Sequence, residues 1–242
     1  MVKKALLLLT ALIFMSLAHA EVKLMVVTED WRPYQYLDEN GKIVGRASDK
    51  VRAILDEAKI SYDIQLYPWV RAMKIAEEQP NTMIFSIFRT AEREARFHWV
   101  CPLLEPVKEY FFKRKDRTDI KVESLEDAKR YVTSVVKGSV AYTYLLSKGF
   151  TASVNLDVDA DPSAIPRKLM ANRIDLTVAT EYTLYESLLA LGESYNDVER
   201  LIQLKNVDNN QACMAFNLHS DKDLIQSIQT ALLKYNLTHR GP

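Results

Sequence analysis

The sequence predicts an α/β protein of two lobes, each a mainly parallel sheet flanked by helices, meeting at a cleft. Three observations carry that expectation. Short apolar strands alternate with amphipathic helices along the chain, the pattern of βαβ units. The alternation forms two such units with no evident linker, and only 6 Gly and 8 Pro occur in 242 residues. Four clusters rich in Trp, Arg and small residues fall where predicted strands deliver their carboxyl ends. Ligands bind at that edge of such sheets.

The elements follow in order. Met1 to Ala20 read as a secretory signal: Lys3 and Lys4 precede an apolar core from Ala5 to Met15. Ala18-His19-Ala20 then offers a cleavage site after Ala20. Lys23 to Thr28 is an apolar run suited to a buried parallel strand. Tyr34 to Asp38 and Ile43 to Gly45 flank Asn40-Gly41, a strong hairpin signal. Asp49 is read as the cap of a helix that places Val51, Ile54, Leu55 and Ala58 on one face. Tyr62 to Tyr67 is a strand, Pro68 opens a helix running to about Glu78, and Thr82 to Ile87 is a third strand.

The second unit repeats the alternation. Ser124 caps a helix to about Arg130, Val132 to Val136 is a strand, and Ser139 to Lys148 is a helix. Asn155 to Val158 and Ile174 to Thr180 are strands, followed respectively by helices Ser163 to Ala171 and Tyr182 to Leu191. Gln211 to Asn217 reads as a late strand. Ser220 with Asp223 resembles a capping box for a last helix bearing Leu224, Ile225, Ile228, Leu232 and Tyr235 on its apolar face.

Composition narrows the function. Hydrophobic residues make up 48% and charged residues 26%, ordinary globular usage that excludes a disordered or fibrous chain. The 32 basic residues balance 32 acidic ones; removing Lys3 and Lys4 with the signal leaves 30 against 32, a net charge of −2. Nothing in that balance suits a nucleic-acid partner. The chain contains no P-loop, GxGxxG, HExxH or GxSxG motif, so nucleotide binding and hydrolysis lack their equipment. His98, His219 and His239 lie far apart without ligand spacing, and neither a metal nor a cofactor is expected. Cys101 and Cys213 would face an oxidising compartment. Two buried, inert thiols are the expected state, and a disulfide stays open because sequence does not give the Cα separation.

The four clusters are Thr28 to Pro33, Tyr67 to Ala72, Phe85 to Arg93, and Val136 to Ser139. Arginine pairs with carboxylate in bidentate fashion, tryptophan offers a stacking face, and a helix amino end offers free N–H donors. Together they suit a small, polar, anionic ligand. Each residue alone is equally well read as core or as a surface ion pair; the recurrence at four strand ends favours a site.

From Val22 to Tyr235 the chain resembles the periplasmic solute-binding proteins of family 3, the polar-amino-acid type. The matching stretches are Pro33 to Tyr36, the Asp38 to Gly45 hairpin, Ser86 to Arg93, Arg173 to Leu176 and Cys213 to Phe216. The resemblance implies a type II periplasmic binding protein fold with residues 21–108 and 214–242 in one lobe and 109–213 in the other. Two crossing strands, near 109–113 and 211–217, would join them, and closure would trap one ligand. It implies that Arg93 grips a ligand carboxylate, that Trp31 and Trp69 sandwich the ligand, and that the Ser86 carbonyl holds an ammonium group. Gly138 and Ser139 would add donors from the second lobe. Arg71 and the bulky Phe88, which stands where the family often has Thr or Ser, mark a divergent branch. Where the family places an Asp for the ammonium, this chain has Thr180 followed by Glu181, and Glu181 is the candidate.

The leading expectation is a monomeric periplasmic protein that binds a small carboxylate-bearing solute, an amino acid in the first instance, for an inner-membrane ABC permease. An enzymatic alternative resembles the periplasmic cyclohexadienyl dehydratases, with Glu181 as general acid. A sensory alternative docks the closed form on a membrane receptor.

Overall fold

The structure, a computed structural model, describes residues 23–205 and 211–239. The secretory segment expected over residues 1–20 lies outside them.

The first lobe is built on a five-stranded mixed sheet. Its strands are β1 (Leu24–Thr28), β4 (Tyr62–Leu66), β5 (Thr82–Phe88), β6 (His98–Val100) and β12 (Ala212–Phe216), in the order β4-β1-β5-β12-β6. β1 runs parallel to β4 and β5, while β12 is antiparallel to β5 and β6. A small hairpin, β2 (Tyr36–Leu37) and β3 (Ile43–Val44), turns where Asp38 accepts from the amides of Asn40 and Lys42. Alternation along the strands divides the core. Leu24, Val26, Met83 and Phe85 pack under α1 (Arg46–Glu57) and α7 (Lys222–Thr238); Val27, Ile84 and Ile87 pack with α2 (Trp69–Glu78). Ile84 and Ile87 share a face although three residues apart. A bulge at Ser86, with φ of 61°, makes this possible.

The second lobe has the same plan. Its sheet, ordered β11-β7-β10-β8-β9, holds β7 (Glu109–Arg114), β8 (Thr133–Val136), β9 (Leu156–Asp159), β10 (Leu176–Ala179) and β11 (Val198–Leu204). β8 is parallel to β9 and β10, and β7 is antiparallel to β10 and β11. The connecting helices are α3 (Leu125–Ala128), α4 (Val140–Ser147), α5 (Ala164–Met170) and α6 (Glu181–Ala190). β8, β9 and β10 therefore deliver α4, α5 and α6 with their amino ends toward the first lobe's strand ends. The chain enters this lobe between β6 and β7 and leaves it between β11 and β12.

Two caps and the cysteines differ from expectation. α1 begins at Arg46, one turn before Asp49, because Gly45 takes the cap with φ of 113°. A Cβ there would stand 2.5 Å from the Tyr34 carbonyl oxygen, so only glycine fits. α7 is capped by Asp221, which accepts from the amides of Asp223 and Leu224; Ser220 takes no part. Cys101 and Cys213 are joined in a disulfide, not left as thiols. The cause is register: β12 pairs with β6 so that Met214 faces Val100, which sets Cys213 opposite Cys101 with a Cα separation of 4.7 Å.

Candidate functional site

A cavity of about 330 Å³ lies between the lobes, at the size where small-ligand sites begin. From the first lobe Glu29, Asp30, Trp31 and Arg32 line it after β1, Trp69 at the start of α2, and Ser86, Phe88 and Arg93 at and beyond the end of β5. From the second lobe come Ser139 and Val140 at the start of α4, Ser163 beside α5, and Thr180 and Thr183 at the start of α6.

Indole and guanidinium groups bridge the cleft. Trp31 Nε1 donates to Thr183 Oγ1 at 3.1 Å, and Trp69 Nε1 donates to the Gly138 carbonyl at 2.8 Å. Arg93 Nη2 donates to the same carbonyl at 3.1 Å, and its Nη1 donates to the Phe88 carbonyl at 3.3 Å. The Arg93 guanidinium also stands 5.0 Å from the Trp69 ring centroid. Gly138 permits this approach: its φ is 73°, and a Cβ would crowd Val70 and Trp69 at 3.3 and 3.4 Å.

Arg93 is only 5% exposed, and among the described residues no carboxylate forms an ion pair with it. Its two hydrogen bonds use two of five N–H donors. A buried, unpaired charge is costly unless something compensates it. Burial lowers the Arg93 pKa to about 10, so the cation persists at neutral pH. Burial also raises Glu29 to about 8, against the opposing pull of Arg93 and with a smaller contribution from Asp30. A Glu29 that keeps its proton does little to offset the Arg93 charge, and Glu92 and Glu77 act on it without forming an ion pair among the described residues. Asp30 is raised as well, first by burial.

The raised Glu29 pKa has a stability consequence. Between its ordinary 4.5 and about 8, folded Glu29 holds a proton that the unfolded chain has lost. Stability therefore falls as pH rises through that window, and the full penalty is present above pH 8. Glu29→Gln is expected to exceed wild type by about 3 kcal/mol in urea unfolding at pH 8.5, with no difference at pH 4. Parallel pH profiles for the two proteins would show that Glu29 titrates normally.

The structure brings Trp31, Trp69, Ser86, Phe88, Arg93 and Ser139 to the cavity wall, with Gly138 directly behind Trp69 and Arg93. Ser139 caps α4 by accepting from the Tyr142 amide at 3.1 Å. Ser86 Oγ donates to Gln35 Oε1 at 2.8 Å. Two expected residues lie elsewhere. Arg71 is exposed and covers the Tyr67 ring at 4.5 Å, because on α2 it sits two positions, about 200°, round from Trp69. Glu181 is exposed and pairs with Arg200 at 2.9 Å. Thr180 takes the α6 cap and faces the cleft, and the next helical position turns away. The general acid of the enzymatic alternative is thus outside the cavity. Thr183 carries polar contacts that sequence reasoning passed over, and Glu29 lines the cavity with a raised pKa; its one sequence signal was its place just beyond β1. Among the described residues no group of three His, Cys, Asp or Glu side chains could hold a metal ion.

The model of the bacterial extracellular solute-binding proteins, family 3, matches residues 24–238. No curated protein matches the sequence. Among solved structures, a histidine kinase sensor domain with similarity to periplasmic binding proteins aligns with a TM-score of 0.79 and 18% identity, covering 90% of this chain and 92% of the other. An ancestral arginine-binding protein bound to arginine gives 0.78 and 19%, covering 90% and 94%. A Salmonella typhimurium periplasmic binding protein of high arginine specificity gives 0.76 and 18%, covering 89% and 93%.

Proposed function

This chain belongs to the bacterial extracellular solute-binding proteins of family 3, and from that premise we propose that it captures a small carboxylate-bearing solute between its lobes. An amino acid is the first ligand class to test, and delivery to an inner-membrane transporter is the role. The observation that carries this reading is Arg93, a buried cation on the cavity wall with no ion pair among the described residues. A ligand carboxylate would supply the missing charge through charge-assisted hydrogen bonds. Trp31 and Trp69 would flank the ligand, the amide donors at Ser139 and the start of α4 would add to its grip, and Ser86 would offer its carbonyl. Asp30, and Glu29 on losing its proton, give any cationic group of the ligand an acidic partner. The protein would act as a monomer in the periplasm, after cleavage behind Ala20, and would need no cofactor or catalytic group.

A second reading, ligand sensing through a membrane receptor, draws on the sensor-domain neighbour. Both roles would use lobe closure as the signal. Neighbouring genes for a permease and ATPase favour delivery, and a neighbouring sensor kinase favours sensing.

The test is a thermal-shift screen of the secreted protein against amino acids and small carboxylates. A ligand at a hundred times its dissociation constant adds about 2.7 kcal/mol of stability, an easily read rise in melting point. Shifts confined to carboxylate-bearing compounds are the expected result. A hit lacking a carboxylate, or none at all, would remove the basis of the reading.

A further inference from the structure

The cavity does not end at Arg93. It continues along α6, where Thr180, Thr183, Leu184, Ser187, Ala190 and Leu191 line it. These positions recur at intervals of three and four, the spacing of a single helical face. From 180 to 191 they cover about 16 Å at 1.5 Å per residue. The same cavity is lined by Ile165 and Pro166 of α5 and by Val140 and Ala141 of α4. Ile165, Pro166, Ala141 and Leu184 are buried side chains, while Ala190 and Leu191 stand exposed at the far end.

The chemistry of this arm differs from that beside Arg93. The acids after β1 belong to the first lobe, and Glu181 pairs with Arg200 outside the cavity. The second lobe's charged lining residues stand off α6: Glu109 at the start of β7, and Arg167 of α5, which is exposed and pairs with Asp161 at 3.3 Å. The hydroxyls near the cleft are already engaged: Thr180 Oγ1 donates to Thr183 Oγ1 at 2.8 Å, and Thr183 Oγ1 also accepts from Trp31. The α6 face itself bears no charge, so a charged ligand terminus laid against it would lose hydration with no opposite charge on that wall. An apolar chain would gain from the same contact.

We infer that the α6 arm receives an extended apolar chain, so that the captured solute is an amphiphilic carboxylate, with its head at Arg93 and an alkyl or aryl chain in the second lobe. This rests on the carboxylate reading above and narrows it away from polar amino acids.

The experiment is calorimetric titration of the secreted protein with two matched series. One is the linear α-amino acids from alanine to 2-aminooctanoate; the other is the linear monocarboxylates from propionate to octanoate. Arginine is the polar comparator. Affinity is expected to rise about fourfold per added methylene in at least one series. Ser187→Trp, which fills the middle of the arm, is expected to flatten that rise, with its unliganded melting point reporting that it folds. Affinity independent of chain length, or arginine binding better than every long-chain member, overturns the apolar arm while the carboxylate reading stands. No binding by either series or by arginine overturns both.

Discussion

Arg93→Ala is expected to weaken carboxylate capture by about 100-fold or more while leaving the unliganded protein as stable as wild type, or more so. Each hydrogen bond between charged groups contributes about 1.5–3 kcal/mol, and a bidentate pair makes two. Among the described residues the unliganded protein has no such pair: it holds a 5%-exposed guanidinium that donates to the backbone carbonyls of Phe88 and Gly138. Removing a buried charge that lacks an ion pair relieves a desolvation cost, which offsets the packing lost against Trp69. Opposite movement of affinity and stability is the signature of a residue kept for a ligand. If calorimetry and thermal unfolding showed affinity and stability falling together, Arg93 would be a structural strut between the lobes. Arg93→Lys should also bind poorly, since a point charge does not reproduce the planar fork.

The second large effect concerns stability. Replacing Cys101 and Cys213 together by serine is expected to cost about 4 kcal/mol, read as a lower urea midpoint. The bridge joins residues 112 apart in sequence. Cys101 directly follows β6, the last strand before the chain enters the second lobe, and Cys213 lies in β12, the first strand after it returns. The disulfide therefore closes the whole second lobe into one loop, and long loops gain most from such closure in the chain-entropy description. Dithiothreitol should lower the wild-type midpoint by a similar amount and leave the double variant unmoved. A wild-type midpoint indifferent to reductant would mean the two sulfurs are not bridged.

Much of the fold was legible because apolar periodicity is written locally. The runs at Lys23 to Thr28 and Thr82 to Ile87, the Asn40-Gly41 turn and the α7 apolar face all correspond to observed elements. The short β6 carries too few residues to show a period, and β11 alternates weakly because Glu199 and Arg200 are both exposed. The disulfide was not legible, since it depends on the pairing of β6 with β12, two strands more than 110 residues apart. Caps were misread by four residues where Gly45 took the place of Asp49, and by one where Asp221 took the place of Ser220.

The site was legible as strand-end clusters but not as side-chain directions. Trp31, Trp69 and Arg93 reach the cavity because each follows a strand whose carboxyl end faces the cleft. Glu181 was chosen for its charge, and one helical step turns it to Arg200 instead. Glu29 gave no motif; its raised pKa arises from burial between lobes that only the folded chain brings together. The α6 stripe was present in the spacing of Thr180, Thr183, Leu184 and Ser187, but the sequence does not tell a cavity wall from a core face.

The most direct measurement is a crystal structure of the protein with the strongest hit of the carboxylate screen bound. Capture between the lobes requires the ligand carboxylate within hydrogen-bonding distance of the Arg93 guanidinium, with Trp31 and Trp69 against the ligand body. A ligand bound outside the interlobe cavity, or inside it with its carboxylate turned away from Arg93, would contradict the proposed function.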